Sequence, residues 1–171
     1  ASKGIHSFEL DVEWMIESKQ VFLEENGYSN EFLNTIPIDF LKQRLPDVLK
    51  NQETFDPNKK TLFIGEGFFD YLPVKTTIEI LEDINSLNPN NELLTTFFSL
   101  DELNWFHRFS FTSGVSLVGE SLRLPLNRVE FIELLNEYGF SVNKEISHRK
   151  MKSDLVESMG IKLPVLKGFY V

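Results

Sequence analysis

The sequence contains no cysteine, which excludes disulfides, thiolate metal ligands and cysteine nucleophiles together. That composition suits a reducing compartment, and a cytoplasmic location is the expectation. Long apolar runs are missing as well. The stretch Leu93 to Leu100 includes two threonines and falls far below the ~20 residues that a bilayer span requires. No secretory signal is read in Ala1 to Leu10, which lacks a basic stretch followed by an apolar one. Basic residues are scarce: 17 Lys and Arg stand against 26 Asp and Glu, a net charge of −9. Such a field repels phosphates, so neither nucleic acid nor a membrane surface is an expected partner. The three histidines, His6, His107 and His148, form no i, i+4 pair, and no metal site is expected. A Gly-x-x-x-x-Gly-Lys run is absent, and Gly65-Glu66-Gly67 does not complete a dinucleotide fingerprint because Asp70 stands at the place of its third glycine. Around Ser116 the glycine spacing differs from that of a serine-hydrolase elbow.

What the chain does have is 171 residues at 42% apolar and 13% aromatic content, enough to bury roughly 70% of its unfolded surface in one core. No internal repeat or charge block marks a second domain, so a single domain is expected. Gly4 to Asp11 reads as a strand. A helix is predicted from about Glu13 to Asn26, with Met15, Ile16, Phe22 and Leu23 recurring at helical spacing before Gly27. The alternation repeats: a strand at Asn34–Asp39, a helix at Leu41–Lys50, a strand at Thr61–Gly65, and a helix from Pro73 to Leu87. Apolar runs such as Leu62-Phe63-Ile64 and Leu93 to Phe98 have no polar face, as expected of central strands covered by helices on both sides. An α/β fold with a parallel sheet follows. Asn127 and Glu130 predict a capped helix ending at Gly139. Strands at Phe140–Ile146 and Pro164–Val171, with a helix from about Lys152 to Met159 between them, close the chain, and antiparallel pairing suits them.

Ligands of open parallel sheets bind beyond the carboxyl ends of the strands, and here each of the first three strands ends in an acid. Asp11 ends the first, Asp39 the second and Glu66 the third, the last between Gly65 and Gly67, which permit close approach of a ligand. A carboxylate at a strand end can accept from two ribose hydroxyls, and one beside a sulfonium or ammonium gains Coulomb energy. The same acids can instead cap the helices that follow. Residues of about 100–125, with Trp105, Phe106, His107, Arg108 and Arg123, read either as a substrate cap or as a plain connecting segment.

Taken in order, Phe8-Glu9-Leu10-Asp11, Ile36-Pro37-Ile38-Asp39-Phe40 and Gly65-Glu66-Gly67-Phe68-Phe69-Asp70-Tyr71-Leu72-Pro73 resemble the motifs of the leucine carboxyl methyltransferase family. The resemblance implies a Rossmann-like class I methyltransferase sheet and an S-adenosylmethionine-dependent O-methyltransferase activity, with transfer to a carboxylate or hydroxyl of a small molecule or protein. It implies that Asp11 holds the ribose hydroxyls and that Asp39 with Phe40 meets the adenine. Glu66, beside Gly65, would face the methionine portion, and Tyr71 would lie on the acceptor side. No catalytic base is assigned, because a carboxylate acceptor is already ionised near neutral pH. Asp70 departs from the pattern, standing where the family carries an apolar residue.

The family's first strand, glycine-rich loop and Asp-Thr-Arg would precede Gly4, and the expectation is therefore an N-terminally incomplete sheet, residues 1–171 forming a single partial methyltransferase domain. The absent strand would lie between those ending at Asp11 and Glu66. Open strand edges invite association, so a homodimer through them is expected. The other reading is a non-catalytic relative serving as an interaction or scaffold protein.

Overall fold

The computed structural model describes residues 4–28, 31–103, 122–160 and 167–171. The candidate cap, including Trp105, Phe106, His107, Arg108 and Ser116, lies outside the described residues over 104–121. The chain forms two compact units, Ala1–Lys59 and Lys60–Val171.

In the first unit, strand β1 (Ser7–Asp11) runs parallel to β2 (Leu33–Pro37), in register from Ser7 opposite Leu33 to Asp11 opposite Pro37. Helix α1 (Glu13–Glu25) makes the crossover. Its inward face is narrower than the sequence pattern suggests. Ile16 is buried and Lys19 and Leu23 half-buried, whereas Met15 and Phe22 face solvent. Lys19 takes an inward position because its ammonium ion-pairs with Glu9 of β1, which a search for apolar periodicity does not register. Helix α2 (Leu45–Leu49) is shorter than the predicted Leu41–Lys50. Pro46 sits in its first turn, where a missing N–H costs nothing, and Lys42 and Gln43 instead donate to the Asp39 carbonyl in a tight turn. Ile16, Ile36, Ile38, Leu45 and Leu49 form the buried apolar set of this unit.

In the second unit, β3 (Leu62–Gly65) and β4 (Glu92–Thr95) are parallel, with Leu62 opposite Glu92 and Gly65 opposite Thr95. A 3-10 turn, Phe69–Tyr71, leads from β3 into helix α3 (Val74–Leu87). Pro73 is the residue before this helix, and Ile80, Leu81, Ile84 and Leu87 recur at three- and four-residue spacing on its buried face. Each such side chain contributes roughly 1.5–3 kcal/mol by burial. Helix α4 (Arg128–Glu137) starts as predicted: the Asn127 side chain accepts from the N–H groups of Val129 and Glu130, and the Glu130 carboxylate accepts from the Asn127 N–H at 2.7 Å.

Three expectations are corrected here. The run Leu93–Phe98 is not one strand. It divides at Thr96 into β4 and β5 (Phe97–Phe98), and β5 pairs antiparallel with β6 (Phe169–Tyr170). Thr96 makes the break because it still donates its N–H to Gly65 at 3.2 Å, after which the β3 chain turns away and leaves β5 to find another partner. Second, Leu62, Ile64 and Leu94 are exposed, so β3 and β4 alternate instead of being covered on both faces. A continuous apolar run does not by itself specify two buried faces. Third, Phe140–Ile146 is no strand. Only Ile146 pairs, exchanging both backbone hydrogen bonds with Val171 at 2.7 and 3.0 Å, beside a Ser147–Tyr170 bridge. Helix α5 (His148–Met151), capped by Ser147, begins earlier than predicted and continues as a wider π-type turn over Lys152–Glu157. Of the strand expected over Pro164–Val171, residues 161–166 lie outside the described residues, and β6 is its described part.

Candidate functional site

Parallel pairing places the carboxyl ends of β1 and β2 side by side, and Ile38 donates its N–H to the Asp11 carbonyl at 2.8 Å, extending the ladder to the threshold of Asp39. Asp11 and Asp39 therefore share one end of one sheet. Both already serve the backbone. Asp11 Oδ1 accepts from the Val12 N–H at 2.7 Å, leaving its second oxygen outside that bond. Asp39 Oδ1 accepts from the Leu41 N–H at 3.0 Å and its Oδ2 lies 2.7 Å from Lys42 Nζ. The Lys42 ammonium first, and the Leu41 N–H second, hold the Asp39 carboxyl below its ordinary value. Phe40, half-buried, follows directly.

The third acid belongs to the second unit. Gly65 closes β3, buried, and a Cβ at this position would meet the Phe69 ring at 3.2 Å. That close approach is why a glycine stands here. Gly67 has φ +56°, the left-handed region, with open space around it. Between them Glu66 is exposed, presented on a turn whose backbone is tied down on both sides. The Gly65 carbonyl accepts from the Thr95 hydroxyl at 3.0 Å and from the Thr96 N–H, and the Gly67 N–H donates to Thr96 Oγ1 at 2.7 Å. Tyr71, half-buried, ends the 3-10 turn.

Asp70, between Phe69 and Tyr71, is 7% exposed. Its Oδ1 accepts from the Phe98 N–H at 3.1 Å. Burial pushes its carboxyl up to about 6, and the Phe98 bond offsets only part of that. Sequence reasoning registered Asp70 as a departure but gave it no role. The signals that could have exposed its surroundings are Thr95 and Thr96, two hydroxyls inside an otherwise apolar run.

A separate cavity of about 650 Å³ lies in the second unit, lined by Leu93, Phe97, Phe131, Phe140, Arg128 and Tyr170 among others. At its rim Arg128 makes a fork with Glu145, Nε to Oε1 at 2.6 Å and Nη2 to Oε2 at 2.5 Å, and lies 5.5 Å from the centre of the Tyr170 ring. Burial and the hydrogen bond to Glu102 push the Tyr170 hydroxyl up to about 12. None of the predicted site residues lines this cavity. Among the described residues no group of three metal-ligating side chains converges, and no helix is long and apolar enough to cross a membrane.

Three comparisons bear on this arrangement. A protein of Mycobacterium ulcerans (strain Agy99), provisionally named an S-adenosyl-L-methionine-dependent methyltransferase, is 34% identical over 94 residues, 54% of this chain and 29% of its own length. The structure of the mitomycin 7-O-methyltransferase MmcR is similar with a TM-score of 0.58 at 19% identity, over 84% of this chain and 38% of that one. LaPhzM, at 0.56 and 17%, and the S-adenosylmethionine-dependent methyltransferase SibL, at 0.58 and 12%, are each similar over 96% of this chain and 41% of theirs. At such identities the likeness is one of fold, shared with part of these solved methyltransferase structures. The chain spans less than a third of the curated relative and about two fifths of each solved structure. Its first half matches the sequence model of a family. Residues 1–85, the segment that carries Asp11, Asp39, Phe40, Gly65, Glu66 and Tyr71, match the model of the leucine carboxyl methyltransferase family.

Proposed function

We propose that this chain is part of an S-adenosylmethionine-dependent O-methyltransferase whose acceptor is a carboxylate or hydroxyl of a small molecule or protein. The observation that carries the reading is chemical: parallel strands lead into Asp11, Asp39 and Glu66 at their carboxyl ends, and Glu66 sits exposed on a glycine-flanked turn. Each of these carboxylates, taken by itself, has acceptor chemistry suited to a part of the cofactor. One oxygen of Asp11 is outside its backbone bond and suits ribose hydroxyls, and an exposed carboxylate at Glu66 suits a cationic methionine portion. Asp39 and Phe40 would meet the adenine, Gly65 would allow backbone approach, and Tyr71 would lie toward the acceptor. When bound, S-adenosylmethionine supplies an electrophilic methyl group. A carboxylate acceptor is ionised near neutral pH, so these residues have to bind and align and need not remove a proton.

Calorimetric titration of the full protein with S-adenosylmethionine tests this. Asp11→Asn and Glu66→Gln are each expected to weaken binding by about 5- to 100-fold, the range for one charge-assisted hydrogen bond. Unchanged affinity in both variants overturns the reading.

A second reading has support in exposed apolar side chains, among them Trp14, Phe22, Leu62, Ile64 and Leu94. They suit a non-catalytic interaction or scaffold role, and also a homodimer through open strand edges. Absence of cofactor binding together with self-association in sedimentation would favour the scaffold over the enzyme.

A further inference from the structure

Asp70 is a buried carboxylate for which burial outweighs the bond it accepts from Phe98, and removing a carboxylate from water is costly. Its surroundings point to what it does. Its side chain holds the N–H of Phe98 in β5 at 3.1 Å, while its own backbone carbonyl accepts from Arg123 at 2.8 Å and from Leu124 at 3.3 Å. Leu124 and Phe98 are themselves buried. One residue thus joins three stretches that are distant in sequence: the turn after β3, the strand β5, and the chain at 123–124. The other end of the same turn is fixed by the Thr96 hydroxyl on the Gly67 N–H at 2.7 Å. Glu66 precedes the first clamp and Tyr71 follows the second.

We propose that Asp70 is a positioning residue: together with Thr96 it fixes the Glu66–Tyr71 turn on the β4–β5 segment, and so sets where the Glu66 carboxylate and the Tyr71 ring are presented. The inference rests on the reading of Glu66 and Tyr71 as cofactor-side and acceptor-side groups. An apolar residue at 70 would keep much of the side chain's shape but remove the carboxylate oxygen that accepts from the Phe98 N–H, loosening the turn's hold on β5. Asparagine keeps a carbonyl oxygen at that place and preserves the clamp.

The experiment combines amide hydrogen exchange at Phe98 with S-adenosylmethionine titration of the full protein and of Asp70→Leu, Asp70→Asn and Thr96→Val. Asp70→Leu is expected to speed exchange at Phe98 by at least about tenfold and to weaken cofactor binding by about tenfold, the effect of losing one buried hydrogen bond, with Asp70→Asn close to the parent in both. Thr96→Val, which removes only a hydroxyl, is expected to lower affinity while keeping a cooperative melt, and it carries the test should Asp70→Leu fail to fold. Faster exchange at Phe98 with parental affinity in Asp70→Leu overturns the positioning role alone, and so does parental affinity in Thr96→Val. If the parent binds no cofactor at all, the methyltransferase reading fails and the positioning role falls with it.

Discussion

The ring of Phe97 lies flat on that of Phe131, with centroids 4.3 Å apart and planes within 7°, tying β5 to α4. Phe69, from the turn after β3, leans on the same Phe131 ring at 6.1 Å. Both Phe97 and Phe131 are buried. Phe131→Ala is expected to cost about 3–5 kcal/mol in urea unfolding and Phe131→Leu, which keeps much of the volume, clearly less. Equal losses in the two variants would show that stacking, and not volume, holds this contact.

Asp70 makes stability depend on pH in a stated direction. Its carboxyl is raised from about 3.8 to about 6 in the folded chain, so the native state holds this proton more tightly than the unfolded state. The favourable contribution is complete below about pH 4 and is lost as the pH rises through about 6, a swing of up to about 3 kcal/mol. Asp70→Asn removes the titration. The difference in unfolding free energy between parent and variant, followed from pH 4 to 7, is expected to move against the parent as the pH rises, and a flat difference would contradict this.

Asp11 separates two roles through the choice of substitution. Asparagine retains an oxygen for the Val12 N–H, which alanine does not. Asp11→Asn is expected to leave the melting transition nearly unchanged while lowering cofactor affinity. Asp11→Ala is expected to lower both, the stability by about 1 kcal/mol as for a lost backbone acceptor. Should Asp11→Asn bind as tightly as the parent while Asp11→Ala melts earlier, the acid serves the backbone alone.

At Asn127 the side chain satisfies two N–H groups of the first turn of α4, and Glu130 returns the favour to the Asn127 N–H. Asn127→Ala is expected to cost about 1 kcal/mol in chemical unfolding, and Asn127→Asp close to nothing. A neutral Asn127→Ala would mean that packing of Phe131 and Leu135 alone holds the helix start.

The residues alone determined the features whose causes are local. Alternating strand and helix patterns gave β1, α1, β2, β3 and α3 near their observed places, and the spacing of Asn127 and Glu130 gave the capped start of α4 because a capping box is closed within four residues. The strand-end positions of Asp11, Asp39 and Glu66 were legible for the same reason. Tertiary structure decided what depends on distant partners. Whether Leu62, Ile64 and Leu94 are covered is a matter of what packs over them, and the run after Leu93 breaks at Thr96 because β4 pairs with β3 whereas β5 pairs with β6, more than 70 residues later in the chain. Lys19 turns inward because Glu9 lies on a neighbouring strand. Asp70 is the sharpest case: an acid in a turn motif reads as a surface residue, and it is the tertiary structure that buries it, with the Phe98 N–H on its carboxylate and the N–H groups of Arg123 and Leu124 on its backbone carbonyl.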